Sequence, residues 1–297
     1  MFVPLRVIAL ALCLLTGVAH GENQNPKKLN VLATFAPIQC FAANVCGEAA
    51  GVFVLLPPAS GPHNYAFSPS DIRKIGSADV VIENGLGLET WLEKGVKTAG
   101  KEGLLVVDTS KGISPITEAD SGQTGSPNPH IWLSPVCAMK QVENIRDALS
   151  SRDPGNAKTY RRNADRYLEN LKKLDSEIRQ ETALLPNKNF VTLHDAFPYF
   201  AREYGLRIAA TFETSPDQSP LPKKLEQIRT LLASHDVAAL LAESSYNSKP
   251  LEVVAREFNR SVVQMDSMET GQGDPSFYER AMRSNMSKLM AALNGKK

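Results

Sequence analysis

The chain has 297 residues, 42% hydrophobic and 22% charged, with 33 basic against 32 acidic side chains and a formal charge of +1. That length suggests two domains of about 150 residues each, and the composition excludes a disordered, collagen-like or disulfide-dense chain. The balanced charge argues against nucleic acid as the main partner, because phosphate binding needs a basic surface.

Arg6 is the only charged side chain before Glu22, and it precedes an apolar run from Val7 to Val18 with the small residues Gly17, Ala19 and Gly21 around its end. This is the pattern of a cleaved export signal over residues 1–21, and the run is shorter than the roughly 20 residues a membrane span needs. Cys13 does not read as a lipoprotein site, because Leu12 is bulky and the apolar run continues past it. The mature chain is expected to be exported and periplasmic, with Arg6 lost and the formal charge brought to neutrality. In an oxidising compartment Cys40, Cys46 and Cys137 are an odd set. Two of them pairing, or three buried inert thiols, are both open.

Short β-rich runs then alternate with helical patterns. Strands are predicted at 30–34, 52–56, 79–84 and 104–108, with helices near 37–45, 69–75 and 90–99 between them. The Gly-, Ser- and Pro-rich stretch 113–129 reads as an exposed loop, and a helix follows over about 135–149. Asp153-Pro154 opens a strongly periodic segment to about Leu185, with Tyr160, Ala164, Tyr167, Leu168, Leu171, Leu174 and Ile178 mostly three or four apart. A helix of about 30 residues would run about 45 Å. Beyond Pro186 the alternation resumes, with strands at 190–193, 207–211, 237–242 and 261–265 and helices near 197–204, 221–233, 250–258 and 275–293. The pattern predicts an α/β fold of two lobes, each a mostly parallel sheet flanked by helices, bridged by one long helix. The boundaries read as 28–152, 153–186 and 187–297.

The chain has five histidines, of which His20 falls in the signal region. His235 lies between a helix and a strand, where a polar turn residue needs no functional reading. The others are placed differently. His63 follows the strand VFVLL, His130 follows LLVVD through the long loop, His194 ends FVTL, and Asp266 ends SVVQM. All four sit at or beyond the carboxyl ends of predicted parallel strands, where open α/β sheets bind ligands. Three imidazoles and one carboxylate would complete the coordination of a transition metal, and suit tetrahedral zinc. Position alone leaves a shared site and separate structural roles both open.

The segment LLPPASGPHNYAFSPSDIRKIGSADVVIENGLGLETWLEK resembles the signature of the manganese/zinc solute-binding proteins of ATP-binding-cassette importers. NPHIWLSP, VTLHDAFPYFAREYGLR and VVQMDSM resemble its later blocks, in the same order. The resemblance implies two α/β lobes bridged by one long helix and a metal in the cleft, with His63, His130, His194 and Asp266 as ligands. It also implies a membrane permease as partner, a monomeric binding protein and no enzymatic activity. Manganese carriers of the family often place a Glu where this chain has His194, so a nitrogen-rich set favours Zn2+, with Mn2+ or Fe2+ as alternatives. The chain departs from the family at Gly61 and Phe67, which often are acidic, and at Asn128, which often is Asp. The loop before His130 lacks the His-rich tract of many zinc-uptake members. The competing class is a secreted zinc hydrolase, for which Glu243 is the candidate base, though no HExxH, nucleophile elbow or Walker motif occurs. A surface adhesin has no positive feature in the sequence.

Overall fold

The computed structural model describes residues 28–117, 125–212, 222–234 and 237–294. The expected export signal and His235 lie outside them. The predicted fold class is borne out: two four-stranded parallel sheets flanked by helices, with a long helix between them in the chain.

The first sheet holds β1 (Leu29–Ala33), β2 (Ala50–Val54), β3 (Val80–Glu83) and β4 (Leu105–Asp108), in the order β2-β1-β3-β4. α1 (Ala36–Cys46), α2 (Pro69–Ser77) and α3 (Leu92–Ala99) are the crossovers that parallel strands require. Local chemistry sets their ends. Ser68 and Asp71 form a reciprocal capping box ahead of Pro69 on α2, and Gly100 closes α3 in the left-handed conformation. α4 (Pro135–Arg152) follows, capped by Ser134.

The second sheet repeats the arrangement with β5 (Asn189–Thr192), β6 (Arg207–Thr211), β7 (Ala239–Glu243) and β8 (Val262–Met265), in the order β6-β5-β7-β8. Its helices are α6 (Pro198–Glu203), α7 (Pro222–Ala233), α8 (Lys249–Glu257) and the C-terminal α9 (Phe277–Leu293).

Between the sheets runs α5 (Ala157–Ala183), 27 residues and about 40 Å, entered through a 3-10 turn at Pro154–Asn156. Its buried positions, Tyr160, Asn163, Ala164, Tyr167, Leu168, Leu171, Leu174, Ile178 and Thr182, form one stripe at helical spacing. That stripe packs on α4, α1 and α9. Asn163 donates to Val45 O at 3.1 Å in the first lobe, while Tyr204 of the second donates to Asp175 of α5 at 2.9 Å. The helix therefore grips both lobes with its own side chains.

A second connection joins the lobes at the loops. Gly271 N donates to Pro58 O at 2.7 Å and Gly273 N to Gln39 Oε1 at 3.0 Å. A Cβ on Gly273 would stand 2.0 Å from Ala36 O, so only glycine allows this approach. Cys40, Cys46 and Cys137 are free and buried, and burial pushes the Cys40 and Cys46 thiols up to about 12. They are inert packing residues, not a disulfide. Among the described residues no helix is long and apolar enough to cross a membrane.

Candidate metal centre

Four loops at the carboxyl ends of the two sheets meet in one place. His63 comes after β2, His130 precedes the 3-10 turn Ile131–Leu133 that leads into α4, and His194 comes just after β5. One ring nitrogen from each of the three lies within 4.8 Å of the other two. Nε2 of His63 and Nε2 of His130 are 3.1 Å apart. The His130 and His194 rings are 4.8 Å apart by centroid and His63 and His194 5.6 Å. Neighbouring nitrogens around tetrahedral zinc stand roughly 3.3 Å apart, given Zn–N bonds of about 2.0–2.1 Å. The trio is thus near the dimensions of a coordination shell.

Asp266 does not belong to this group. Its Oδ1 accepts from Met268 N at 2.7 Å, and its backbone is clamped by Asn285 on both sides, N to Oδ1 at 2.8 Å and O from Nδ2 at 2.7 Å. The carboxylate facing the histidines is Glu269, whose Oε1 lies 3.5 Å from Nε2 of both His63 and His130. Sequence reading missed this residue. It sits three positions past Asp266 in the same loop, and no spacing rule marks it.

The protonation of the rings follows from what stands behind them. Asn128 Oδ1 accepts from His130 N and faces His130 Nδ1, both at 3.0 Å, while Asn128 Nδ2 donates to Asp195 O at 2.7 Å. An amide oxygen only accepts, so Nδ1 of His130 carries the proton and Nε2 presents a lone pair to the cluster. Asn128 therefore bonds the histidine with its oxygen and reaches across to the second lobe with its nitrogen. Behind His194, Nδ1 lies 3.6 Å from Glu243 Oε1, and neither oxygen of that buried carboxyl has a hydrogen-bond partner in another of the described residues. Its Oε1 faces His194 Nδ1 from beyond hydrogen-bond distance, behind a ring that packs edge-on against His63 and His130.

Burial holds His130 and His194 down to about 4 from an ordinary 6.5, so both are neutral near pH 7, as ligands must be. It pushes Glu243 up to about 8. These shifts fix a pH dependence of stability. Between pH 6.5 and 4 the unfolded chain takes up protons at two rings that the folded chain leaves neutral, so their contribution weakens folding as pH falls. Glu243 opposes this, since its folded form is the one protonated between about 8 and 4.5. Glu83 and Glu89, both pushed up to about 7 by burial, oppose it as well, so three carboxyls against two rings leave about one proton net in the other direction, roughly 1.4 kcal/mol gained per pH unit as pH falls from 6.5 to 4.5. The part owed to the two rings is read by difference: the denaturant midpoint of the chelator-treated parent minus that of a His130→Ala/His194→Ala variant should shrink as pH falls from 6.5 to 4.5, and an unchanged difference would contradict the assignment.

Phe67, a second departure, packs edge-on against Trp91 at 5.2 Å and Tyr65 at 6.1 Å. Trp91 Nε1 donates to Pro62 O at 2.7 Å, so this aromatic cluster braces the residue before His63.

Comparison with known proteins agrees with this architecture. The family model described as "ZnuA: Zinc-uptake complex component A periplasmic" matches residues 31–292. The chain is 33% identical to the iron-binding protein YfeA of Yersinia pestis over 274 residues, 89% of this chain and 87% of that one. It is 31% identical to the high-affinity zinc uptake system protein ZnuA of Bacillus subtilis over 280 residues, 89% and 88% of the two chains. Among solved structures, that of the SBP FpvC from Pseudomonas aeruginosa with Mn2+ superposes with a TM-score of 0.80 at 28% identity, covering 91% of this chain and 100% of that one.

Proposed function

This chain belongs to the ZnuA family of periplasmic metal-uptake components, substrate-binding proteins of ATP-binding-cassette transporters and not enzymes, and on that premise we propose that it carries one zinc ion to a membrane permease. The observation that carries the reading is the convergence of three histidines from both lobes within 4.8 Å. His63, His130 and His194 are the proposed nitrogen ligands, and the carboxylate comes from the loop after β8, the loop in which the family resemblance assigns Asp266. A set of three imidazoles and one carboxylate favours zinc over harder ions. The buried oxygens of Glu243 and Glu269 Oε1 have no hydrogen-bond partner among the described residues, which supports a cation nearby.

Each lobe, 28–152 and 187–297, contributes to the site, so the ion ties the two together. A helix gripping both lobes restricts hinge opening, and release at the permease then proceeds by rearrangement of the ligand-bearing loops. Residues 1–21 fit a cleaved export signal that delivers the chain, as a monomer, to the periplasm.

Elemental analysis of full-length protein purified from its native compartment, without added metal, tests the metal. Zinc near one equivalent is expected. Manganese or iron at full occupancy would overturn the preference for zinc, and protein carrying no transition metal would overturn the binding reading.

A further inference from the structure

We propose that Glu269 is a direct ligand of the bound ion in this chain and that Asp266 is not. The inference rests on the metal-site reading above and names the carboxylate that completes it.

Three electron-pair donors point at one another with almost no hydrogen to share. The proton of His130 is held on Nδ1 by Asn128, so its Nε2 is a bare acceptor. The Glu269 carboxylate is acceptor-only, and its Oε1 lies 3.5 Å from that Nε2 and from Nε2 of His63. At most one proton, on His63, is available for three lone pairs. The Glu269 side chain is 1% exposed, and Oε1 has no hydrogen-bond partner among the described residues. A buried, unpartnered oxygen against two imidazole nitrogens is costly unless a cation lies between them. The separations of 3.1, 3.5 and 3.5 Å among His63, His130 and Glu269 are close to the edges of one face of a tetrahedral shell, about 3.3 Å, while Glu269 stands outside the 4.8 Å grouping that includes His194.

The loop is built to aim this residue. Met268 adopts φ 59°, a left-handed conformation uncommon for a residue with a side chain. Asp266 Oδ1 stabilises that turn by accepting from Met268 N, and the reversal swings Glu269 back over the cleft. The second oxygen, Oε2, is held by the hydroxyl of Tyr246. Asp266 is thus committed to shaping the turn, and Glu269 is delivered by it. Opposite lies Gly61, where a Cβ would come 3.7 Å from Glu269 Oε2. A carboxylate grown from position 61 could therefore reach the space that Glu269 fills.

The test measures zinc affinity of full-length E269Q, D266N, E269A and the double variant G61E/E269A by competition with a chromophoric chelator. The visible spectrum of the cobalt(II) forms is read alongside as a report of tetrahedral coordination. E269Q should lose about 100-fold or more in affinity with an altered cobalt spectrum, whereas D266N, acting through the turn, should lose about tenfold or less. G61E/E269A should recover at least tenfold of the loss seen in E269A, through a carboxylate arriving from the other lobe. Zinc affinity of E269Q within about threefold of the parent, or a larger loss in D266N than in E269Q, would overturn the proposal. Failure of the metal-site reading is distinct: it would appear as full affinity in a variant lacking His130.

Discussion

Replacing His130 with alanine is expected to lower zinc affinity by roughly two to three orders of magnitude, because about 10–16 kcal/mol of apparent zinc binding is shared among four ligands. The residue is well suited to show a pure loss of coordination. Its ring is buried at 2% exposure and neutral, with Nε2 aimed at His63 and Glu269. The loop around it does not depend on the ring, since Asn128 Oδ1 accepts from the backbone N of residue 130, which alanine retains. The unfolding temperature of chelator-treated H130A should lie within a few degrees of the parent. What should disappear is the rise in that temperature on adding zinc, because ligand stabilisation scales as the logarithm of concentration over dissociation constant. Isothermal competition titration beside thermal melts separates the two quantities. An H130A protein that still binds and is still stabilised like the parent would remove the histidine cluster from the account.

The largest effect on folding is expected at Trp132. It is fully buried two residues past His130, edge-on to Phe35 at 5.0 Å, and its Nε1 donates to Ser267 O at 2.8 Å. That bond ties the loop of His130 to the loop of Glu269, across 135 residues of chain. Trp132→Ala removes the ring and orphans a buried carbonyl, so a loss of about 3–5 kcal/mol is expected from the cavity, with about 1 kcal/mol more from the hydrogen bond. Trp132→Phe refills much of the cavity and isolates the hydrogen-bond part. Denaturant midpoints of the two variants should fall in that order. Zinc affinity should fall in both, because the loop carrying Glu269 loses its anchor. A Trp132→Ala protein as stable as the parent would mean the lobes are not coupled through this contact.

Much of the fold was legible because the periodicities are strong. The stripe on α5 runs through nine buried positions at helical spacing, and proline and aspartate mark its entry. β2 was read two residues late, at 52–56 and not Ala50–Val54. The reason is that Leu55 and Leu56 continue the apolar run and still bond Ala33 O and Thr34 O after the strand geometry ends. The histidines were legible because strand ends are where parallel sheets place ligands. Glu269 was not, because its aim depends on a left-handed residue that no propensity assigns to methionine. Asn128 is legible in the sequence as a departure from Asp, but its partners are not. Its amide oxygen accepts from His130, while its nitrogen reaches Asp195. Glu243 was noted as a candidate base, and only the fold places it against Nδ1 of His194 at 3.6 Å.

The central claim is that one ion is held between the lobes by three imidazoles and a carboxylate. X-ray absorption at the zinc edge of the full-length, singly loaded protein tests it most directly. The expected spectrum has four nitrogen or oxygen neighbours at about 2.0–2.1 Å, with the multiple-scattering signature of three imidazole rings and no sulfur. A sulfur neighbour at about 2.3 Å, or scattering from fewer than three rings, would contradict it.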